Sequence, residues 1–417
     1  MKETDRPGVL VKILLILLIF WGLYTPIANL IGSVATSLSF VVFDVLLFLY
    51  LVFSKIEIIK LVQKTKLLEL LVAIFVASVY VAFRSAFSGN ESRIFQNLQI
   101  EVQIIYFFEL LLAMHYRFRY SKYEIMLFFL NVVMIQGLIA ISMLFLTNFH
   151  NVALHLYYAG STENAFISAK RIYGLSSEYT FTTPIVNGIF GVIAVFFSLK
   201  KSKLYLLYLP IILLLVLLNG RTGLVVFGIG SIIIIFKNAK RLSSLLILSA
   251  SSALGIYLTF YLLKTLSQDT YVWIISFFSD TLNLINGDAT GNYTQLGMQL
   301  PKDNLLFGYG FRIYDLNTIL SNITIYQRSD IGYANDLFLG GIVYIILLYI
   351  PILFYVYLST ANDNKFKGTG LSFFLIIALL IADYKGETMR NGNLLLLAIT
   401  LSMLFRIPKR KKEIDER

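Results

Sequence analysis

Leu204-Tyr-Leu-Leu-Tyr-Leu-Pro210-Ile-Ile-Leu-Leu-Leu-Val-Leu-Leu218-Asn219-Gly220-Arg221-Thr222-Gly223-Leu-Val-Val-Phe-Gly-Ile-Gly-Ser-Ile-Ile-Ile-Ile-Phe236 is one apolar run with a single polar interruption. As one helix it would be about 50 Å long at about 1.5 Å per residue, against a hydrocarbon core of about 30 Å. The run must therefore fold back at Asn219 to Gly223, where Asn-Gly and the flanking glycines supply turn chemistry. Two apolar helices joined by a tight turn that carries one arginine are the unit from which the rest of the chain is read.

Similar runs recur from end to end. Of the 417 residues 58% are hydrophobic, only 14% are charged, and mean hydropathy is +0.76, values outside the range of soluble domains. Spans are expected at 9–30, 36–55, 67–87, 98–114, 124–147, 179–199, 204–219, 222–236, 242–263, 336–359, 369–383 and 393–405. The expected fold is thus an all-α, polytopic transmembrane bundle of about twelve spans. It forms one domain over 1–417, with both termini on one side and no cleavable leader. The chain has no cysteine, which excludes disulfides and thiolate metal sites.

The net charge of +11 is a matter of topology. Of the 35 basic residues, the short polar segments on one side, such as Lys55 to Lys66 and Lys200 to Lys203, take the majority. This marks that side as cytoplasmic and leaves nucleic acid without support as a partner. Two long segments, 149–178 and 264–335, fall on the opposite side. Their clusters His155 to Tyr158 and Tyr271 to Phe278 predict short interfacial helices.

Arginines on that outer side have no topological reason to be there. Arg171, Arg221, Arg312 and Arg328 carry a planar fork suited to phosphate oxygens; the competing reading is that each anchors to lipid head groups. Proton acceptors must be carboxylates: Asp330, Glu178 and Asp336 lie on this side. Asp330 is either a base or substrate-orienting group or the ion partner of Arg328, and Asp336 is a further candidate or simply caps the following helix. The three histidines make no metal set, so no metal is expected. Arg84 and Glu101, near the outer ends of consecutive spans, are expected to pair, and Glu109 to face the interior.

Arg-x-Tyr-Gly at 171–174 followed by Ser-Ser-Glu-Tyr and Pro184, Gly-Arg-Thr-Gly at 220–223, Phe-Gly-Tyr-Gly at 307–310, Ser-Asp-Ile-Gly-Tyr at 329–333 and Gly-Gly at 340–341, set on this span pattern, resemble the bacterial O-antigen polymerases (Wzy-like). The resemblance implies a GT-C-like glycosyltransferase at the periplasmic face of the bacterial inner membrane. It would join oligosaccharide repeat units carried on undecaprenyl diphosphate, without cofactor, beside a flippase and a chain-length regulator of the same pathway. It implies diphosphate binding by Arg171, Arg221, Arg312 and Arg328, with Asp330 and Glu178 as candidate catalytic carboxylates. The related O-antigen ligases typically use a histidine in the large loop, and that loop has none here. A flippase for lipid-linked oligosaccharide is the rival from another class; it calls for polar groups through the bundle, not heaped on one face.

Overall fold

The computed structural model describes residues 7–88, 91, 96–157, 172, 174–177, 182–238, 242–266, 268–286, 299–313, 329–390 and 392–410. Among them all regular structure is helical: α1 Val9–Tyr24, α2 Ala28–Phe53, α3 Ile58–Thr65, α4 Leu67–Ser88, α5 Gln96–Leu112, α6 Lys122–Phe145, α7 Thr147–Tyr157, α8 Thr182–Lys200, α9 Leu209–Asn219, α10 Thr222–Asn238, α11 Leu242–Leu266, α12 Gln268–Ile285, α13 Gly332–Tyr357, α14 Leu371–Asp383 and α15 Asn393–Arg406. A π turn, Ala113–Arg117, prolongs α5, and a 3-10 turn, Lys203–Tyr208, leads into α9. Each of the twelve apolar segments overlaps a helix. Six of these helices are long and apolar enough to cross a membrane, and six are shorter. The chain is a multi-pass membrane protein.

Three boundaries differ from expectation for identifiable reasons. The segment 9–30 divides because Thr25 is left-handed (φ 37°) and Pro26 follows it, a pair that ends a helix; α2 then starts at Ala28. α13 starts at Gly332, after an extended Ile331, so Asp336 sits inside the helix and caps nothing. α3 lies in the lysine-rich segment between the expected spans 36–55 and 67–87, outside every expected helix. α7 and α12 are the helices expected from the apolar clusters of the two long polar segments.

The hairpin closes as its length demands, with α9 and α10 meeting at Gly220 and Arg221. α8 is the most enclosed of the long helices, and it approaches α10 through glycine. A Cβ on Gly223 would collide with the Pro184 carbonyl oxygen, and one on Gly188 with the Gly223 carbonyl; small residues of this kind let membrane helices pack backbone to backbone. Gly223→Ala is expected to cost about 1–3 kcal/mol through overpacking, seen as a lower thermal midpoint in detergent. Gly228→Ala, where a Cβ meets nothing, should leave the midpoint unchanged or raise it.

Hydrogen bonds define the bundle's two ends. At the basic end Lys122 Nζ lies 2.6 Å from Asp363 Oδ2 and donates to the Phe405 carbonyl at 2.8 Å, while Asn238 donates to the Thr369 carbonyl. The opposite end gathers the α1–α2 turn, the Gly220–Arg221 turn and the described parts of the long polar segments. We call it the loop end.

Candidate functional site

The loop end is built around a break in α13. Gly341 (φ 68°) interrupts the helix, and the segment before α13 enters the gap. Tyr309 N donates to Phe338 O at 2.6 Å and Gly310 N to Leu339 O at 3.0 Å; Ile342 N and Val343 N donate to Leu305 O and Leu306 O at 3.0 and 3.2 Å. Broken backbone at membrane depth persists only where protein satisfies its polar groups. The close approach requires glycine: Gly308 is left-handed (φ 63°), and a Cβ there would stand 2.6 Å from Gly341 N. From α4, Tyr80 donates to Gly340 O, and Arg84 donates to Phe307 O and Gly308 O at 3.1 and 2.7 Å. Arg84 thus pins this joint and does not pair with Glu101, because the inserted carbonyls reach it first. Phe-Gly-Tyr-Gly and Gly-Gly are the two sides of one joint.

Beneath it runs a buried chain of charges. Arg312, 0% exposed, donates from Nε to Glu91 Oε1 at 2.9 Å and from its backbone N to Glu91 Oε2 at 3.1 Å; its Nη1 reaches both Glu387 oxygens at 3.0 and 3.2 Å. Glu387 also accepts from Arg390. Arg390 Nε lies 3.0 Å from Asp336 Oδ1, an ion pair without the alignment of a hydrogen bond. Tyr349 Oη is 2.6 Å from both Asp336 Oδ2 and Asp383 Oδ2, and Asp383 Oδ1 accepts from Thr388 N and Met389 N. The network ties the loop 384–392, the inserted segment, α13 and Glu91 into one rigid floor.

On this floor lies a patch of unlike character. Arg221, half-buried in the α9–α10 turn, is close enough to Lys385, half-buried in the loop 384–392, for their charges to interact. Burial, and then the Arg221 charge, push the Lys385 ammonium below its ordinary value of 10.5. Two cations within electrostatic reach of each other favour an anion nearby. The N-termini of α8 and α10 meet here, since a Cβ on Gly220 would touch Pro184 at 3.5 Å, and their dipoles have the same preference. The segment after Arg171 also reaches the patch, with Ile172 N donating to Leu218 O at 3.2 Å. That segment then crosses the bundle: Gln136 holds Leu175 through both its N–H and its carbonyl, and Ser177 N donates to Tyr24 O. Gly174 is left-handed (φ 69°), with no room for a Cβ beside Gln136. This accounts for the glycine of Arg-x-Tyr-Gly.

Arg171, Glu178 and Arg328 lie outside the described residues. Asp330 is exposed, two residues before Gly332; a Cβ on Gly332 would meet the Gly386 carbonyl at 2.5 Å, next to Lys385. Asp330 thus lies two residues from the point where α13 meets the loop that carries Lys385. Arg312 does not join Arg221 and Lys385, because its fork is committed to Glu91 and Glu387, and the expectation that it presents itself to a diphosphate gives way to a role in the floor. Asp336 is likewise taken by Arg390. Sequence reasoning passed over Glu91, Asp383 and Glu387, and placed Lys385 and Arg390 on the outer side without giving them a role. The available signal was Asp383-Tyr-Lys-Gly-Glu-Thr-Met-Arg390, four charges within eight residues between two apolar helices. No group of three metal-ligating side chains occurs among the described residues.

Comparison of the chain with protein-family models, with curated proteins and with solved structures finds no match.

Proposed function

We propose that the chain is a glycosyltransferase of the O-antigen polymerase type, joining oligosaccharide repeat units carried on undecaprenyl diphosphate. In this reading the twelve apolar helices are twelve spans of a GT-C-like bundle in a bacterial inner membrane. The basic end and both termini face the cytoplasm, and the loop end faces the periplasm. The observation that carries the proposal is the electrostatic proximity of Arg221 and Lys385 at the loop end, where the exposed Asp330 leads into α13 beside the loop that carries Lys385. The candidate anion-binding groups at the loop end favour a reaction at that membrane face over passage of a substrate through the bundle.

The chemistry needs few parts. The bond from the donor sugar's anomeric carbon to the diphosphate breaks, and the acceptor hydroxyl oxygen bonds to that carbon. Undecaprenyl diphosphate leaves with the electron pair. Arg221 and Lys385, with Arg171 and Arg328 from the adjoining segments, stabilise the charge that grows on the leaving group. The acceptor proton passes to a carboxylate, Asp330 or Glu178. Arg312 supports the floor from below. A ligase would use the same anion site with a different acceptor, and the missing loop histidine weighs against it.

Asp330→Asn keeps the shape and removes the basicity. Cells carrying it are expected to display single repeat units in place of long chains, with partial recovery in Asp330→Glu. Normal long chains from Asp330→Asn would move the base to Glu178, or leave the step to diphosphate departure alone.

A further inference from the structure

Tyr349 has one hydroxyl proton and two carboxyl groups in reach of it. Its Oη stands 2.6 Å from Asp336 Oδ2 and 2.6 Å from Asp383 Oδ2, in each case the separation of two oxygens with a proton between them. Tyr349 supplies one of these protons, since a phenol donates once. The other has to come from a carboxyl group, because two ionised aspartates would leave one pair of oxygens pressed together with nothing to bind them. Both aspartates are 0% exposed and Tyr349 is 4% exposed, so neither carboxyl turns out to solvent instead.

The surroundings decide which aspartate carries the second proton. Asp336 faces the Arg390 guanidinium, its Oδ1 3.0 Å from Nε, and a cation at that distance favours the ionised form. Asp383 forms no ion pair among the described residues. Its Oδ1 accepts from Thr388 N at 3.0 Å and Met389 N at 3.2 Å, which leaves Oδ2 as the oxygen that bears the proton. The other ionisable groups nearby offer it no cation. From α13 come Asp336 itself and Tyr333, which donates its own hydroxyl to Leu380 O at 2.9 Å; the segment leading into α13 brings Asp330, a further acid. In the loop 384–392, Tyr384 is exposed, Arg390 pairs with Asp336 and Glu387, Glu387 pairs with Arg312, and Lys385 is within electrostatic reach of Arg221. α8, α10 and α15 also pack on α14, but their ionisable side chains are Lys200, Lys237 and Arg406, each at the basic end. The turn Leu358–Thr360, which touches α14 as well, has none.

We infer that Asp383 is a proton-binding site: as a carboxylic acid it donates from Oδ2 to Tyr349, and Tyr349 donates to the Asp336 carboxylate. The bound proton fastens the loop 384–392 to α13, since one oxygen of the same side chain holds Thr388 and Met389 and the other holds Tyr349. An ionised Asp383 would face Asp336 as a like charge and would have nothing to donate. Asp383 is thus a positioning residue for the loop that carries Lys385, Glu387 and Arg390, and it acts so whatever the loop end binds.

The test compares the full chain in lipid nanodiscs at neutral pH with Asp383→Asn. The amide presents an N–H where the acid presents an O–H, and it keeps an acceptor for Thr388 and Met389. The infrared difference between the two proteins should contain the carbonyl stretch of a protonated carboxylic acid. The thermal midpoint of Asp383→Asn should equal or exceed that of the wild type, and amide hydrogen exchange across 384–392 should be the same in both. Asp383→Ala keeps neither contact and should quicken that exchange by about tenfold or more, as expected of a locally released segment. A difference spectrum with carboxylate bands and no carboxylic-acid band would overturn the inference. So would a midpoint of Asp383→Asn below that of the wild type, the result expected if Asp383 were an anion, or exchange in the loop that Asp383→Ala leaves unchanged.

Discussion

Arg390→Met is expected to destabilise the folded protein by about 3–5 kcal/mol, the scale for removing one partner of a buried ion pair. Asp336 is wholly buried and has Arg390 as its ion-pair partner, whereas Glu387 keeps Arg312. The variant therefore leaves one carboxylate in a dry interior with the Tyr349 hydroxyl as its remaining contact. The effect should appear as a sharp fall in thermal midpoint in detergent. Arg390→Met combined with Asp336→Leu should recover most of the loss, because the expensive species is the unpaired charge and not the missing bond. An unchanged midpoint in the single variant would mean that water reaches the network and that the floor is not rigid.

Lys385→Met and Arg221→Lys are expected to separate stability from activity. The folded protein holds the Lys385 proton less tightly than the unfolded chain does, because burial and the Arg221 charge both lower its pKa. Below that lowered value the ammonium costs stability. The cost fades as pH rises from there toward the ordinary 10.5. Lys385→Met should therefore raise the thermal midpoint of the ligand-free protein at neutral pH, while weakening protection by added pyrophosphate and slowing transfer. Arg221→Lys keeps the charge and loses the fork. It should leave the midpoint near wild type and slow transfer by about a hundredfold, the scale of one preorganised donor. Full activity in both variants would mark the two residues as lipid anchors.

Much of this architecture was legible because the membrane restricts the options. Apolar runs must become helices, the excess length of 204–236 forces a turn, and the turn comes at Gly220–Arg221. Helix ends were less legible where one residue decides them, as at Thr25-Pro26. The site was harder to read for a different reason. The glycines of Phe-Gly-Tyr-Gly, Gly-Gly and Arg-x-Tyr-Gly stand out in the sequence, but their reasons are contacts with residues 30 or more positions away: Gly308 with Gly341, Gly174 with Gln136. Arg312 and Arg221 are both outward arginines in the sequence. Only the fold, which brings Glu91 and Glu387 to Arg312 and Lys385 near Arg221, separates the strut from the candidate anion ligand.

The central claim is that the loop end transfers a glycan from one lipid diphosphate to another lipid-linked unit. It is tested most directly by purified protein in proteoliposomes, supplied with lipid-linked repeat units isolated from host cells that lack this chain. The account predicts a ladder of products spaced by one repeat unit, with one undecaprenyl diphosphate released per addition, and loss of the ladder in Arg221→Ala. Binding of the lipid-linked units with no new glycosidic bond and no released diphosphate would contradict it.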